Sequence, residues 1–274
     1  MSEADAVFLI ARNEFSRIFG HPMAMIVVCV LIVMMLVTGI ASGSLLIKPL
    51  KYAFEYRLSP DEMIYSGIGG VFYNVFLFLT ILSLFLGVAA LPEERSNGSL
   101  RVLMTKPLYK RDIILGKFMG MSTFILMIIT LEIAILALIY ILMFQGQGFR
   151  SIPEIFLRLG FLVFLIFLNS TLMLGLTMFF GTLTKSLFGT LILSVSYLYF
   201  EYYLQVPSLI SQLQFSPSRL LFSAYAISDI NLLNNTFPFS AWFYSALPFI
   251  ILMVLEVIII VILDCFMFNV NEDL

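Results

Sequence analysis

The sequence predicts an all-α membrane protein with six transmembrane helices, an amino-terminal interfacial helix and both termini cytoplasmic. Three observations predict it. Of 274 residues, 61% are hydrophobic, only 12% are charged and 28 are Phe, whereas a soluble domain is about a quarter charged. Several apolar runs exceed the ~18 uncharged residues that cross a bilayer. The basic residues also gather unevenly: six of the 15 Lys and Arg fall in residues 91–117, LPEERSNGSLRVLMTKPLYKRDIILGK. The net charge of -2 matters less than this distribution.

Taken in order, residues 1–22 read as a helix lying on the membrane. Phe8, Ala11, Phe15, Ile18 and Phe19 recur at helical spacing, with Arg12, Asn13, Glu14 and Arg17 mostly on the other side. This pattern also fits a generic anchor. Charges at Glu3, Asp5, Arg12, Glu14 and Arg17 do not suit a cleaved leader. His21-Pro22 ends the helix, because a residue before proline avoids helical geometry.

Six spans are expected at 23–47, 68–91, 118–144, 159–180, 186–203 and 246–268. With the amino terminus inside, nine Lys and Arg fall on the inner side and six on the outer. Six of the inner nine lie in one short loop, where the positive-inside rule works best. Cys29 and Cys265 sit in apolar runs and imply no disulfide framework.

Residues 207–245 are long for a loop and too interrupted for a span. Ser216-Pro217 is a helix start, serine as cap and proline at the first helical position, and a short outer helix over 216–227 is expected. Ser228-Asp229 would cap a second. Phe237, Phe239, Trp242, Phe243 and Tyr244 then fit either an aromatic belt at the membrane interface or a short re-entrant hairpin. Irregular backbone at membrane depth is tolerated only when buried in protein or lining a cavity.

Polar residues inside the spans are the candidates for a pathway or an interface: Asn74, Glu132, Asn169 and Glu256. A mid-bilayer carboxylate is costly and should face protein or water, either as interhelical glue or as pathway lining. Asp264 reads as an interfacial charge, and Glu201 as an exit or boundary residue. Catalytic patterns are absent. His21 is the one histidine, and no metal-binding His/Glu pair or Gly-x-Ser-x-Gly elbow occurs. Gly116-Lys117 looks like the end of a phosphate-binding loop, but Arg111 stands where glycine is required and Phe118 replaces Ser/Thr. The chain is therefore not expected to bind ATP by that route. A metal site and a nucleic-acid partner are not expected either.

Within the charged loop, 92–117, Asn97-Gly98 signals a turn and Ser99 caps a short helix that Pro107 ends. Leu100, Leu103 and Met104 share one side of it, and Arg101 lies on another. A second helix begins near 109–112 and runs into the third span. By composition alone, such a loop would contact lipid headgroups.

Three blocks of this region resemble the first cytoplasmic loop of ABC exporter permeases of the second type: Glu94-Arg95-Ser96-Asn97-Gly98-Ser99-Leu100, then Leu103-Met104-Thr105-Lys106-Pro107, then Lys110 to Phe118. The family pattern runs Glu-x3-Gly-Thr-Leu, Leu-Leu-Thr-x-Pro and Ser-Arg-x-x-Ile-Leu-Gly-Lys. This chain departs from it at Ser99 and Tyr109. The layout of the whole chain is similar too, a single permease domain over 1–274.

The resemblance implies that the loop is a coupling helix docking on a separate ABC ATPase subunit. Its contact residues would be Glu94, Gly98, Ser99, Leu100, Arg101, Leu103, Met104 and Lys106. ATP and Mg would then be held by that partner, present in two copies, with none bound by this chain. A second permease chain would complete a homodimer or heterodimer in the cell membrane. Similar short permeases accompany copper-site maturation of nitrous-oxide reductase or export sodium, drugs or peptides, and the sequence does not choose among them. A secondary transporter using the intramembrane carboxylates is the alternative, but the inverted repeat that would support it is not seen. An intramembrane enzyme could draw only on Glu132 with Glu256.

Overall fold

The structure is a computed structural model and describes residues 3–50, 60–98, 109–143, 152–202, 216–227, 230–233 and 237–271. These form α1 (Glu3–Phe19), α2 (Pro22–Leu50), α3 (Pro60–Ala90), α4 (Pro92–Ser96), α5 (Lys110–Met143), α6 (Ile152–Thr184), α7 (Leu187–Tyr202), α8 (Pro217–Tyr225) and α9 (Phe239–Asn271). Between α8 and α9, β1 (Ala226–Ile227) pairs antiparallel with β2 (Ile230–Asn231).

Among the described residues, five helices (α2, α3, α5, α6 and α9) are long and apolar enough to cross a membrane. The helix in the place of the expected fifth span, α7, is apolar but has 16 described residues. At 1.5 Å per residue it rises about 24 Å, against a hydrocarbon layer of about 30 Å. Helices α3, at Pro60, and α9, at Phe239, start earlier than their expected spans, while α5 starts at Lys110, within the expected 109–112, and runs on into the third span. Hydropathy marks only the apolar length, whereas the backbone ladder continues into polar turns such as Lys110-Arg111-Asp112.

The core lies between α3, α5 and α6, where Phe76, Leu79, Ile125, Ile129, Leu165 and Ile166 are at most 1% exposed. By contrast only 17% of the apolar window of α2 and 22% of that of α9 is buried, against 61% for α3 and 67% for α6. The two outer helices therefore turn most of their surface away from this chain. Helices α6 and α9 run in the same direction, with Phe161 against Trp242 near their starts and Gly175 against Ile260 further along. Pro92 of α4 lies against Gly181 near the end of α6. The last described residue, Asn271, thus lies at the end of the bundle that holds α1 and α4.

Helix α1 departs from its expected face. Ala6, Ile10 and Glu14 are buried, while Phe8 is 68% exposed and Phe19 55%. The reason is on α5: Gly116 and Gly120 carry no side chain, and Val7, Ile10, Ala11 and Glu14 settle onto them. Small residues four apart let two backbones approach closely. Glu14, expected on the polar side, is thereby turned inward.

The segment 207–245 also differs from expectation. Ser216 has extended backbone (φ -76°, ψ 140°) and Pro217 opens α8, but the serine side chain makes no capping bond. Glu201 at the end of α7 supplies the cap instead: its Oε1 accepts from Ser218 N–H at 2.9 Å and Oγ–H at 2.6 Å. A carboxylate there satisfies an orphan amide and complements the helix dipole. The helix ends at Tyr225, and Ile230-Asn231 pairs as a strand, so the second short helix expected from Ser228-Asp229 does not form. Leu232 N–H bonds to Tyr225 O and Leu233 N–H to Asn231 Oδ1; the asparagine turns the chain locally.

Helix α8 does not stay at the bundle end. Tyr225 stacks on Phe72 at 4.3 Å, and Phe222 meets Phe76 edge-on at 5.4 Å. Phe76 lies near the midpoint of α3, so the start of α8 reaches into the middle of the bundle. Trp242 is fully buried, its Nε1–H donating to Ala224 O at 2.9 Å. It is a pin between α8 and α9 and not a member of an exposed aromatic belt. Tyr244, 75% exposed, keeps the expected outward position.

Candidate functional site

The charged stretch is built on two stems. On one side, α4 starts with Pro92 and carries Glu93 and Glu94 in its first turn, where acidic side chains favour the helix dipole. Asn97 N–H bonds to Glu93 O, Gly98 N–H to Arg95 O, and Gly98 adopts φ 73°. Only glycine takes that left-handed position without strain, as at many helix ends, so the expected turn is in place. On the other side Tyr109 O accepts from Asp112 N–H and Ile113 N–H, starting α5. The expected coupling residues Ser99, Leu100, Arg101, Leu103, Met104 and Lys106 lie between the stems, outside the described residues, while Glu94 and Gly98 are described.

The two stems meet in a buried ion cluster. Lys117 Nζ donates to Glu14 Oε1 at 2.6 Å and to Glu94 Oε1 at 2.7 Å, and the lysine side chain is 0% exposed. Arg17 closes the ring from α1, with Nη2 2.7 Å from Glu14 Oε2 and Nη1 2.9 Å from Glu94 Oε1. Two acids and two bases balance. Charges taken out of water need such pairing, and removing one member of a buried pair typically costs about 3–5 kcal/mol because its partner is left charged and dry. The cluster joins α1, α4 and α5 within a few residues of both loop stems.

This cluster escaped the sequence reading, although signals for it exist. Glu14 and Arg17 are three apart on one helix, a pairing distance, and Gly116 and Gly120 mark a close-packing face. Lys117 was read as a failed phosphate-loop lysine and as part of the third loop motif. The side chain instead holds two carboxylates.

The intramembrane candidates are not brought together. Asn169 is buried and donates through Nδ2 to Thr80 Oγ1 at 3.2 Å. Glu132 is 2% exposed, and neither of its oxygens has a hydrogen-bond partner among the described residues. Glu256 is half-buried, and Asn74 faces out of α3. Asp264, expected at the interface, is 1% exposed, again without a hydrogen-bond partner among the described residues. It shares the inward stripe of α9 with Ile260 and Phe268, at four-residue spacing. No three His, Cys, Asp or Glu side chains among the described residues converge as metal ligands.

Glu132 gives a direct test of what its carboxyl does. A buried polar group without a partner destabilises by about 1–3 kcal/mol. Glu132→Leu is therefore expected to raise the melting temperature in detergent, read by the unfolding of purified protein. A fall would show that the carboxyl has a partner.

A second polar hub lies at the opposite end of the bundle. Arg158, 0% exposed, donates through Nη2 to Glu154 Oε1 at 2.7 Å and Phe237 O at 2.8 Å, and through Nη1 to Leu232 O at 2.7 Å. Its guanidinium also lies 5.7 Å from the centre of the Tyr65 ring. The hub fastens the segment between α8 and α9 to α6 and α3.

Five long apolar helices with a charged loop between two of them suit a multi-pass membrane protein. The family model described as ABC-2 family transporter protein matches residues 8–269. The chain belongs to that family. No curated protein matches it. As an ABC-2 transporter protein it is a multi-pass membrane subunit with a transport role. The match begins inside α1 and ends in α9, so the ion cluster, the loop and the Arg158 hub all fall within the family region of this ABC-2 protein.

Proposed function

We propose that this chain is the permease subunit of an ATP-driven exporter in the cell membrane. It spans six times, α7 being the fifth span, with both termini cytoplasmic. The positive-inside bias supports this orientation, as does the shared bundle end of α1, α4 and Asn271. Two permease chains, identical or similar, pair with two ABC ATPase subunits, which hold ATP and Mg. Residues 99–105 form the coupling helix, and α8 closes the outer end of the pathway. The observation that carries the reading is the family match over 8–269, together with loop motifs flanked by an ion cluster that locks both stems.

The test is co-purification with an ABC ATPase, sought first among the products of neighbouring genes, followed by assay of ATP hydrolysis. Leu100→Ala with Leu103→Ala is expected to weaken ATPase binding or uncouple hydrolysis while leaving membrane insertion intact. Truncating an apolar anchor at an interface costs about 1 kcal/mol or more, whereas a rim charge contributes less. Lys110→Ala should accordingly matter less. Normal binding and coupling by the double variant would reduce the loop to a headgroup contact.

A further inference from the structure

The stems of the charged loop are not independently mobile as built. Glu94 stands four residues before Gly98 in the first stem, and Lys117 lies two turns into α5. They are joined at 2.7 Å with the lysine side chain fully buried. Any hinge between α4 and α5 would have to pull this ammonium from a carboxylate without water to replace it, the costly way to break an ion pair. The same ammonium holds Glu14 of α1 at 2.6 Å, and α1 is seated on α5 at Gly116 and Gly120. Arg17 also touches both Glu14 and Glu94, but its side chain is 43% exposed, and without the lysine this single guanidinium would face two buried carboxylates. Another tie of α4, Arg95 Nη1 to Gly181 O at 3.1 Å, is half-buried and more open to competition from solvent.

We propose that Glu14, Lys117 and Glu94 are positioning residues that make α1, α4 and the first turns of α5 one rigid body, so that force applied to residues 99–105 reaches α1 and α5 together. The amino-terminal helix is then a moving part of the coupling machinery and more than an anchor. This rests on the permease reading above, because the force is that of the partner ATPase.

The experiment uses the full permease–ATPase complex. Cys29 and Cys265 are replaced by serine, and spin labels are attached at Arg12→Cys and Asn97→Cys, both at exposed positions. Pulsed dipolar spectroscopy then measures the distance from α1 to the end of α4, without nucleotide and after trapping with ATP and vanadate. Labelled chain is diluted with unlabelled chain to isolate the distance within one permease. The expected result is one narrow distance that does not change on trapping. It should broaden or shift in Lys117→Met. Should that variant fail to assemble, Glu14→Gln, which leaves Lys117 on Glu94, is expected to broaden the distribution less. The exchange of all four charges, Glu14→Lys, Arg17→Glu, Glu94→Lys and Lys117→Glu, keeps acids and bases alternating around the ring and is expected to restore the narrow distance, which a merely size-dependent packing role would not do.

A change of the distance on trapping in the unaltered cluster would overturn the rigid-body proposal. So would cluster variants that behave as the parent, or an exchange variant as broad as Glu14→Gln. If no ATPase binds or no nucleotide is trapped, the permease reading itself fails, and the proposal falls with it.

Discussion

Gly120→Ala combined with Gly116→Ala is expected to lift α1 off α5. A Cβ at position 120 would meet Ala11 O at 2.6 Å and Glu14 Cβ at 2.8 Å, and one at position 116 would meet Ile10 Cβ at 2.6 Å. These are one backbone oxygen and two Cβ atoms, whose positions the helix backbone fixes, so no rotamer change relieves the clash. The helix has to move as a whole. Overpacking of this kind costs about 1–3 kcal/mol. The movement also draws Glu14 away from Lys117, and the loss of a buried partner is worth about 3–5 kcal/mol. The two costs describe one event and do not add.

Detachment has a direct readout. Trypsin should cut at Arg12 and Arg17 far faster in the double variant, and the melting temperature should fall. Gly160→Ala is the control, because nothing lies within 4 Å of its added methyl. Alanine is also the better helix former by up to about 1 kcal/mol, so this variant should be no less stable than the parent. If α1 of the double variant stays as protected as in the parent, the packing described here is wrong.

What was legible in the sequence follows the physics of each element. Apolar length marked all five described helices that are long enough to cross a membrane, because the requirement for uncharged residues is one-dimensional, but it also marked a fifth span where α7 has 16 described residues. The Asn97-Gly98 turn and the Pro217 helix start were legible for the same reason, since each depends on a local backbone preference. The loop motifs carried the family resemblance, and the family match bears it out.

Other features depend on partners far along the chain. Amphipathic spacing in α1 could not say which face would dock, because the choice is made by two missing side chains on α5, about a hundred residues away. Lys117 and Glu94 are 23 residues apart, and Lys117 and Glu14 are 103 apart, so no local pattern announces them. The cap on α8 comes from Glu201 across 17 residues of chain. Trp242 had the composition of an interfacial belt, and only its bond to Ala224 O shows it facing inward. Asp264 was read by depth, whereas its burial is set by the stripe it shares with Ile260 and Phe268.

Arg158→Met is expected to free the segment that links α8 to α9. The side chain is fully buried, and its nitrogens supply donors to Leu232 O and Phe237 O. Methionine fills much of the volume but donates nothing. The Leu232 carbonyl, left buried without this donor, costs about 1–3 kcal/mol, and that of the exposed Phe237 costs less because water can reach it. The lost pair with Glu154 adds less, since that carboxylate's side chain is 31% exposed and water can replace the arginine. A loss of a few kcal/mol should therefore fall on the contacts of residues 230–233 and 237–239 and leave the α1 end of the bundle unchanged. Trp242 is the chain's one tryptophan, sits fully buried against Phe161 and Phe239, and reports on this segment without a label. Its emission should shift to the red and become open to aqueous quenchers in Arg158→Met. Arg158→Lys should fall between, because an ammonium keeps the charge but cannot span three acceptors as a planar fork does. Tryptic protection of α1, measured on the same samples, should match the parent. An unshifted, unquenched Trp242 in the methionine variant would mean that the segment is held by its aromatic packing, with Arg158 contributing little.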